Sequence, residues 1–339
     1  MSNQPPLVSV CIANYNGEHM LVECIDSVLQ QSSDTEVEII VHDDASTDGS
    51  IALLGTRYPA VRVIHSDVNV GFCIANNRMA DVARGEFLLL LNNDAALFPD
   101  AIQTLLEDAR DIGSDAIASL PQYDWSTGDL VDRGCLLDPF HVPVPSLDPE
   151  REEVAYVIGA CLWIPRAAWQ RLGGFPECFG SIAEDLYLGC AARLQGMPVR
   201  CLARSGYRHR QGVSFGGNRA GTQGLRTNYR RRYLSERNRI AVLVTCVPTL
   251  LAWPWMTVHG AALVVEGLLL SSLSRDPRIW REIYGAALRD AWKARRTLLG
   301  LRARTLAGRK ASLARVLAPY CWLPWKLALL RRHGLPRVG

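Results

Sequence analysis

None of the ten cysteines belongs to a Cys-x-x-Cys pair, and no Cys/His cluster has zinc spacing. Zinc ribbons, zinc fingers and thioredoxin-type dithiols are therefore excluded. A disulfide-stapled scaffold is disfavoured too, because Cys11 lies in an apolar strand-like run and Cys73, Cys190 and Cys246 lie in helical patterns. Such cysteines read as small hydrophobes in a reducing compartment. Internal repeats and low-complexity segments are also missing, which sets aside solenoids and disordered tracts. Met1 to Pro6 is short and polar, so no signal peptide is expected and the first half of the chain should work in the cytoplasm.

Acidic residues are scarce in one region only. Residues 226–339 hold 22 Lys+Arg against 5 Asp+Glu, a net +17, whereas residues 1–225 hold 15 against 29, a net −14. The modest overall charge of +3 hides this division. At 339 residues the chain suits about two domains of the usual ~100–200 residues. We expect an acidic domain over 1–225 and a basic region over 226–339. A basic tail points to a polyanion, either a membrane surface or nucleic acid. No nucleic-acid recognition motif accompanies it, so an anionic membrane surface is the expected partner.

What is present organises the first domain. Leu7 to Ala13, Val37 to Val41 and Phe87 to Leu91 are apolar runs of strand length. Helical patterns over Met20–Gln31, Ser50–Arg57 and Gly71–Ala83 separate them. That alternation predicts parallel β-α-β units in an α/β, doubly wound sheet. Each strand runs into polar residues: Asn14-Tyr15-Asn16-Gly17 after the first, His42-Asp43-Asp44 after the second, and Asn92-Asn93-Asp94 after the third. Ligands of open α/β sheets bind at the carboxyl ends of strands. An Asp at that rim suits a hard divalent cation that leaves coordination positions for phosphates. A polar turn would use the same residues, but it would have to recur at three successive strands.

Other segments add candidates. After Asp43-Asp44, one carboxylate could cap the next helix through the Ser46-to-Ser50 turn, leaving the other for a nucleoside N–H or ribose hydroxyl. Asn69-Val70-Gly71 opens a helix bearing Asn77, and a glycine at a helix entrance lets backbone approach a phosphate. Val154 to Gly159 and Cys161 to Ile164 read as one strand interrupted at Gly159-Ala160, which makes room for a bulky group or forms a bulge. Glu184 and Asp185 open a helix running to about Gln195. They serve the helix dipole there or act as a general base. Finally, Ser205 to Gly224 is a glycine-rich loop with Arg208, His209, Arg210 and Arg219, suited to closing over a pyrophosphate or simply to solvent.

In order along the chain, Val8–Asn16, Asp43–Ser50, Asn69–Phe72 with Asn77, Leu91–Asp94, Gly159–Cys161, Gly173–Phe175, Glu184–Asp185 and Ser235–Asn238 resemble glycosyltransferase family 2 over about residues 7–245. These are inverting nucleotide-sugar enzymes of the GT-A fold, and the likeness is strongest to a bacterial polysaccharide branch that includes rhamnosyltransferases. The resemblance implies that Asp43 or Asp44 binds the nucleoside of a UDP- or dTDP-linked sugar. Asn14, Asn16, Asn69, Gly71, Asn77 and Asn93 would surround that donor, with Gly159, Ala160, Arg208 and Arg210. It implies Mg2+ or Mn2+ on the diphosphate, held by Asp94 and His209, and Asp185, beside Glu184, as the base that activates an acceptor hydroxyl. The implied acceptor is a glycan on a polyprenyl-diphosphate carrier, reached from the cytoplasmic face of the inner membrane. Asn92 replaces the first Asp of the family's Asp-x-Asp element, Tyr187 stands where many relatives carry a second acid, and Pro176 replaces a common Asp. Asp94 and Asp185 are retained, so activity is expected. Two other readings stay open: a nucleotidyltransferase, for which Asn14 to Glu18 lacks a basic residue, and a membrane-anchored nucleotide-sugar-binding protein without catalysis.

Ile240 to Val265 carries no Asp, Glu, Lys or Arg. Its length would span a bilayer, but Pro248, Pro254 and His259 are expected to break it into re-entrant or interfacial pieces. Trp253 and Trp255 suit a membrane interface. Downstream, Trp280 to Lys310 mixes Leu, Ala and Trp with Arg, and Pro319 to Trp325 adds aromatics beside Arg331-Arg332, a pattern of helices lying among headgroups. An ordinary helical subdomain packed on the sheet and, behind it, a transmembrane hairpin are the alternatives.

Overall fold

The structure, a computed structural model, describes residues 7–33, 35–112, 115–212, 217–221, 224–335 and 337–338. The amino-terminal segment and part of the glycine-rich loop lie outside them, as does the Arg219 side chain. The chain divides into two compact units: residues 1–135, 145–192 and 197–211 form the first, and 136–144, 193–196 and 212–339 form the second. The first unit thus closes at Gln211, before the change of charge near Leu225.

The first unit runs β1 (Val8–Asn14), α1 (Glu18–Leu29), β2 (Val37–Asp44), α2 (Ser50–Arg57), β3 (Arg62–Ser66), α3 (Phe72–Val82) and β4 (Phe87–Asn92). It continues with β5 (Ala95–Leu97), α4 (Ala101–Ile112), β6 (Ile117–Ser119), β7 (Gln122–Asp124) and β8 (Leu130–Asp132). After β9 (Cys135–Leu137) and β10 (Pro143–Pro145), most of whose residues belong to the second unit, come β11 (Cys161–Pro165), α5 (Arg166–Leu172), α6 (Glu184–Leu194), β12 (Val199–Cys201) and β13 (Tyr207–His209). Seven strands build the main sheet in the order β12-β6-β11-β4-β1-β2-β3. It is mixed: β11 runs antiparallel to β4 and β6, and the other pairings are parallel.

The apolar runs form strands because both faces are covered. Phe87 to Leu91 are all buried, and the interior packs Leu21, Ile25, Ile102 and Leu105 against β1 and β4. Phe87 stacks on Trp163 of β11 with ring centroids 4.7 Å apart. Register then sets the rim. Asn14 of β1 lies opposite Asp43 of β2, and Ala13 opposite Asn92 of β4, so the polar strand ends meet at one edge.

Two local expectations are corrected. Val154 to Gly159 is not a strand; it makes one isolated bridge, Cys135↔Tyr156, and only Cys161–Pro165 continues into a ladder. In the second unit, Pro248 does end a helix, but Pro254 and His259 do not. The run forms α7 (Tyr229–Cys246) and the unbroken α8 (Thr249–Leu273), with Pro254 inside its second turn. As the sixth residue of α8, Pro254 gives up one intrahelical i→i−4 bond, and the helix continues through it. A π-helical turn (Ile279–Tyr284) follows, then α9 (Gly285–Lys293), α10 (Arg295–Ala307), α11 (Leu313–Leu317) and α12 (Trp325–His333).

Candidate active site

A second, four-stranded sheet in the order β5-β13-β7-β8 carries the decisive pair. β13 pairs with β5 so that His209 lies opposite Ala95, next to Asp94, and the Arg210 N–H donates to the Asp94 carbonyl at 3.0 Å. His209 Nε2 consequently sits 3.1 Å from Asp94 Oδ1, with both side chains largely buried. On its other side, His209 Nδ1 lies 3.1 Å from Gln122 Oε1, which also accepts from Tyr207 Oη at 2.9 Å. With that oxygen as acceptor, Nδ1 is the donor toward Gln122, which would leave Nε2 for a cation shared with Asp94. A hydrogen-bonded back nitrogen is how metal-binding histidines are oriented. Adjacent octahedral positions on Mg2+ lie roughly 3.0 Å apart, so this carboxylate–imidazole pair fits a divalent cation. Among the described residues no group of three or more His, Cys, Asp or Glu converges, so other positions on such an ion would fall to phosphates and water.

Asn93 joins this pair to the sheet. Its Nδ2 donates to Asn14 Oδ1 at 2.8 Å, and Asn14 Nδ2 donates to Asp43 Oδ1 at 3.1 Å. Gly17 passes directly over that amide pair. A Cβ there would come within 2.2 Å of Asn93 Nδ2 and 2.3 Å of Asn14 Oδ1, so only glycine fits.

The carboxylates after β2 are more committed than their sequence implied. Asp44 accepts from the Val70 and Gly71 N–H groups at 2.6 and 2.9 Å, pinning the entrance to α3, where Gly71 adopts φ +88°. Fully buried Asp43 holds Asn14, the Ser46 N–H and His65. Neither bonds the entrance of α2; Asp48, two residues before the helix, accepts from the Ser50 N–H at 3.1 Å. Asn16 Oδ1 is engaged by the Thr47 N–H at 2.7 Å, and Asn69 is exposed.

Three other expected donor contacts are also redirected. Asn77 brackets Phe175, donating to its carbonyl at 2.9 Å and accepting from its N–H at 3.0 Å, which makes it a brace for the Gly173–Phe175 turn. Arg210 lies 4.0 Å over the Trp125 ring and pairs with Glu23. Arg208 is exposed and, by the two-residue alternation of β13, falls on the face opposite His209.

Asp185 begins α6. Its Oδ2 accepts from the Gly159 N–H at 3.0 Å and its Oδ1 from the Leu186 N–H at 2.7 Å. Ile182 and Ala183 just before it have φ +71° and +68°, a strained left-handed pair that sets the direction of the helix. Asp185 is partly accessible, whereas Glu184 is buried. The Asn92 N–H donates to the Ala160 carbonyl at 3.0 Å, so one short backbone segment, Gly159-Ala160, touches both Asp185 and the strand end that leads to Asp94.

Asp132 and Gln122 were not anticipated. Opposite each other in β8 and β7, they arise from three-residue strands with no local pattern. Asp132 is buried and accepts from the Gly134 N–H at 3.0 Å. Burial pushes its carboxyl up to about 6; the nearby Asp185 adds to this, while the Gly134 N–H and His209 oppose it. Asp132 therefore feels both halves of the site. A carboxyl raised on folding weakens the fold as it ionises, so its cost is absent below about pH 4 and complete above pH 6. In metal-free protein, Asp132→Asn should raise stability at pH 8 by up to about 3 kcal/mol and leave it unchanged at pH 4. Urea melts at the two pH values check this; equal effects at both would contradict it.

Residues 9–168 match the family described as Glycosyl transferase family 2. The chain is 30% identical over 188 residues to an Escherichia coli chondroitin synthase, covering 54% of this chain and 26% of the synthase. It thus spans about a quarter of that relative's length. The fold is similar to S. aureus TarS residues 1–349, solved in complex with UDP-GlcNAc (TM-score 0.56, 18% identity, covering 89% of this chain and 88% of TarS). It is also similar to a mannosyltransferase from Pyrobaculum calidifontis in complex with GDP-Man and Mn2+ (TM-score 0.52, 18% identity, covering 90% and 86%). Residues 9–168 are thus similar to glycosyl transferase family 2, and the α/β unit has the GT-A fold.

Proposed function

We propose that the protein is an inverting glycosyltransferase that moves a sugar from a nucleoside-diphosphate donor, UDP- or dTDP-linked, to a glycan hydroxyl. The observation that carries this reading is Asp185, oriented by the Leu186 N–H and by the Gly159 N–H, the latter on the segment that also holds the strand end leading to Asp94. Asp94 Oδ1 and His209 Nε2 would hold Mg2+ or Mn2+. Bound there, the ion would neutralise charge on the departing diphosphate.

The chain's own residues do the rest. Asp185 takes the proton of the acceptor hydroxyl as that oxygen bonds to the anomeric carbon. The bond from this carbon to the diphosphate oxygen breaks on the opposite face, and its electron pair leaves with the nucleoside diphosphate. Gly159 and Leu186 hold the carboxylate in one orientation, so little reorganisation accompanies the transfer. Gln122 fixes the His209 ring, and Asn14, Asn93 and Asp43 keep the strand ends in register.

The relatives and the basic second unit support a role in bacterial cell-surface polysaccharide synthesis, with a lipid-linked acceptor at the cytoplasmic face of the inner membrane. Thermal shift with a panel of nucleotide sugars, with and without Mn2+, tests the donor and the ion together. Binding to the folded state at a hundredfold excess over Kd should add roughly 2.7 kcal/mol of stability. His209→Ala should abolish the Mn2+-dependent increment. If no nucleotide sugar stabilises the chain under any condition, the proposal fails.

A further inference from the structure

Helix α8 is apolar on both faces, and its ionisable side chains turn inward rather than to water. An ordinary surface helix turns apolar residues inward and polar ones to water. Here the inward stripe, Ala252, His259, Leu263 and Leu270 with Glu266 alongside, contains the helix's acid and its histidine. The outward side exposes Trp253, Val258, Val265, Leu268, Leu269 and Leu273, each more than half exposed.

The inward face is anchored by charge. Glu266 bonds Arg232 of α7 at 2.7 Å, Lys326 of α12 at 2.6 Å and Tyr284 Oη at 2.8 Å. Gly267 permits that approach, since a Cβ there would lie 2.7 Å from the Tyr284 side chain. Glu236, fully buried on α7, also pairs with Arg232, Arg239 and Lys326.

In the amino-terminal half of α8, Trp255 meets Tyr320 at a tilt and stacks with Trp322, at centroid distances of 5.7 and 6.5 Å. Trp322 and Leu323 are 61% and 73% exposed, and α12 adds exposed Leu327 and Leu330 before Arg331-Arg332.

We infer that α8 lies in the plane of an anionic bilayer, with its outer face and the Trp322-Leu323 corner in the interfacial zone, and does not cross it. By length and composition it is the one helix among the described residues that could cross. Crossing, however, would carry Glu266, His259 and the Arg232–Glu236–Arg239–Lys326 cluster into hydrocarbon, where charged groups are costly. Lying flat leaves that cluster in protein while the leucines leave water. The interfacial tryptophans match the headgroup zone. A lipid occupant is favoured over a second copy by charge: Arg275, Arg278 and Arg281 follow α8, and residues 226–339 carry net +17, which repels another copy and attracts acidic headgroups.

This deepens the membrane placement proposed above, but its test needs no substrate, so failure of either reading is separately visible. Full-length protein should float with phosphatidylcholine vesicles containing phosphatidylglycerol, weakly with phosphatidylcholine alone, and less as salt rises. The double variant Leu268→Asp/Leu269→Asp should bind at least about tenfold less. Trp253→Ala, a milder change on the same face, should bind severalfold less; both should keep the parent's circular dichroism spectrum and donor binding. Alkaline carbonate should strip the protein from membranes. Resistance to carbonate would mean a spanning helix, equal vesicle binding by the variants would clear this face of any role, and a salt-stable dimer that the double variant dissociates would assign the face to a second copy; each overturns the inference.

Discussion

Asp185→Asn should lower kcat by about 10²–10⁴-fold, the contribution expected of a positioned general base. The amide keeps an oxygen for the Gly159 or Leu186 N–H and nearly the same shape, so the α6 entrance should survive. Donor affinity should change less than threefold, because the carboxylate is proposed to act on the acceptor. Steady-state kinetics with calorimetric donor titration separate the two effects. Unchanged kcat would remove Asp185 from the chemistry. Parallel loss of donor binding and turnover would make it a structural brace for Gly159. No turnover in the parent either, with intact donor binding, would favour the non-catalytic binding protein.

Glu236→Ala should destabilise the second unit by about 3–5 kcal/mol, because it leaves buried Arg239 and partly buried Arg232 and Lys326 facing one another with Glu266 to compensate. Burial pushes the Glu236 carboxyl up, yet Arg239, Lys326 and Arg232 outweigh it and hold the group well below the usual carboxylate range. A depressed carboxyl stabilises the fold above its unfolded value of about 4.3, and that contribution is lost as pH falls through the folded value. Thermal melts of the full chain should show an early transition in the variant, while nucleotide-sugar binding by the first unit persists below it. A loss under about 1 kcal/mol would mean that water reaches the cluster and screens it.

The reading of the first domain from sequence succeeded where periodicity was strong and local. Phe87 to Leu91 had to be a buried strand, and the residues after it had to reach the carboxyl rim. The same reasoning placed Asn14 and Asp43 there, and β1–β2 register makes them direct neighbours. It misjudged side chains whose partners lie far along the chain. Asn77 looked available to a ligand, but its amide is bonded on both sides to Phe175, 98 residues away. Asp44 looked open and instead pins Val70 and Gly71. Gln122 and Asp132 were invisible, since three-residue strands carry no readable period and matter only through pairing with β13 and with each other.

By itself, the amino-acid order determined the α/β alternation, the polar strand ends, the acidic and basic halves and the candidacy of Asp94 and Asp185. These depend on residues within a turn or a strand of one another, where hydrophobic spacing acts directly. Tertiary structure decided which carboxylates are consumed in bracing loops, that Gln122 would orient His209 toward Asp94, and which face of α8 turns outward. Those outcomes depend on long-range register and on the burial of charge among distant partners, and neither quantity is written in local pattern.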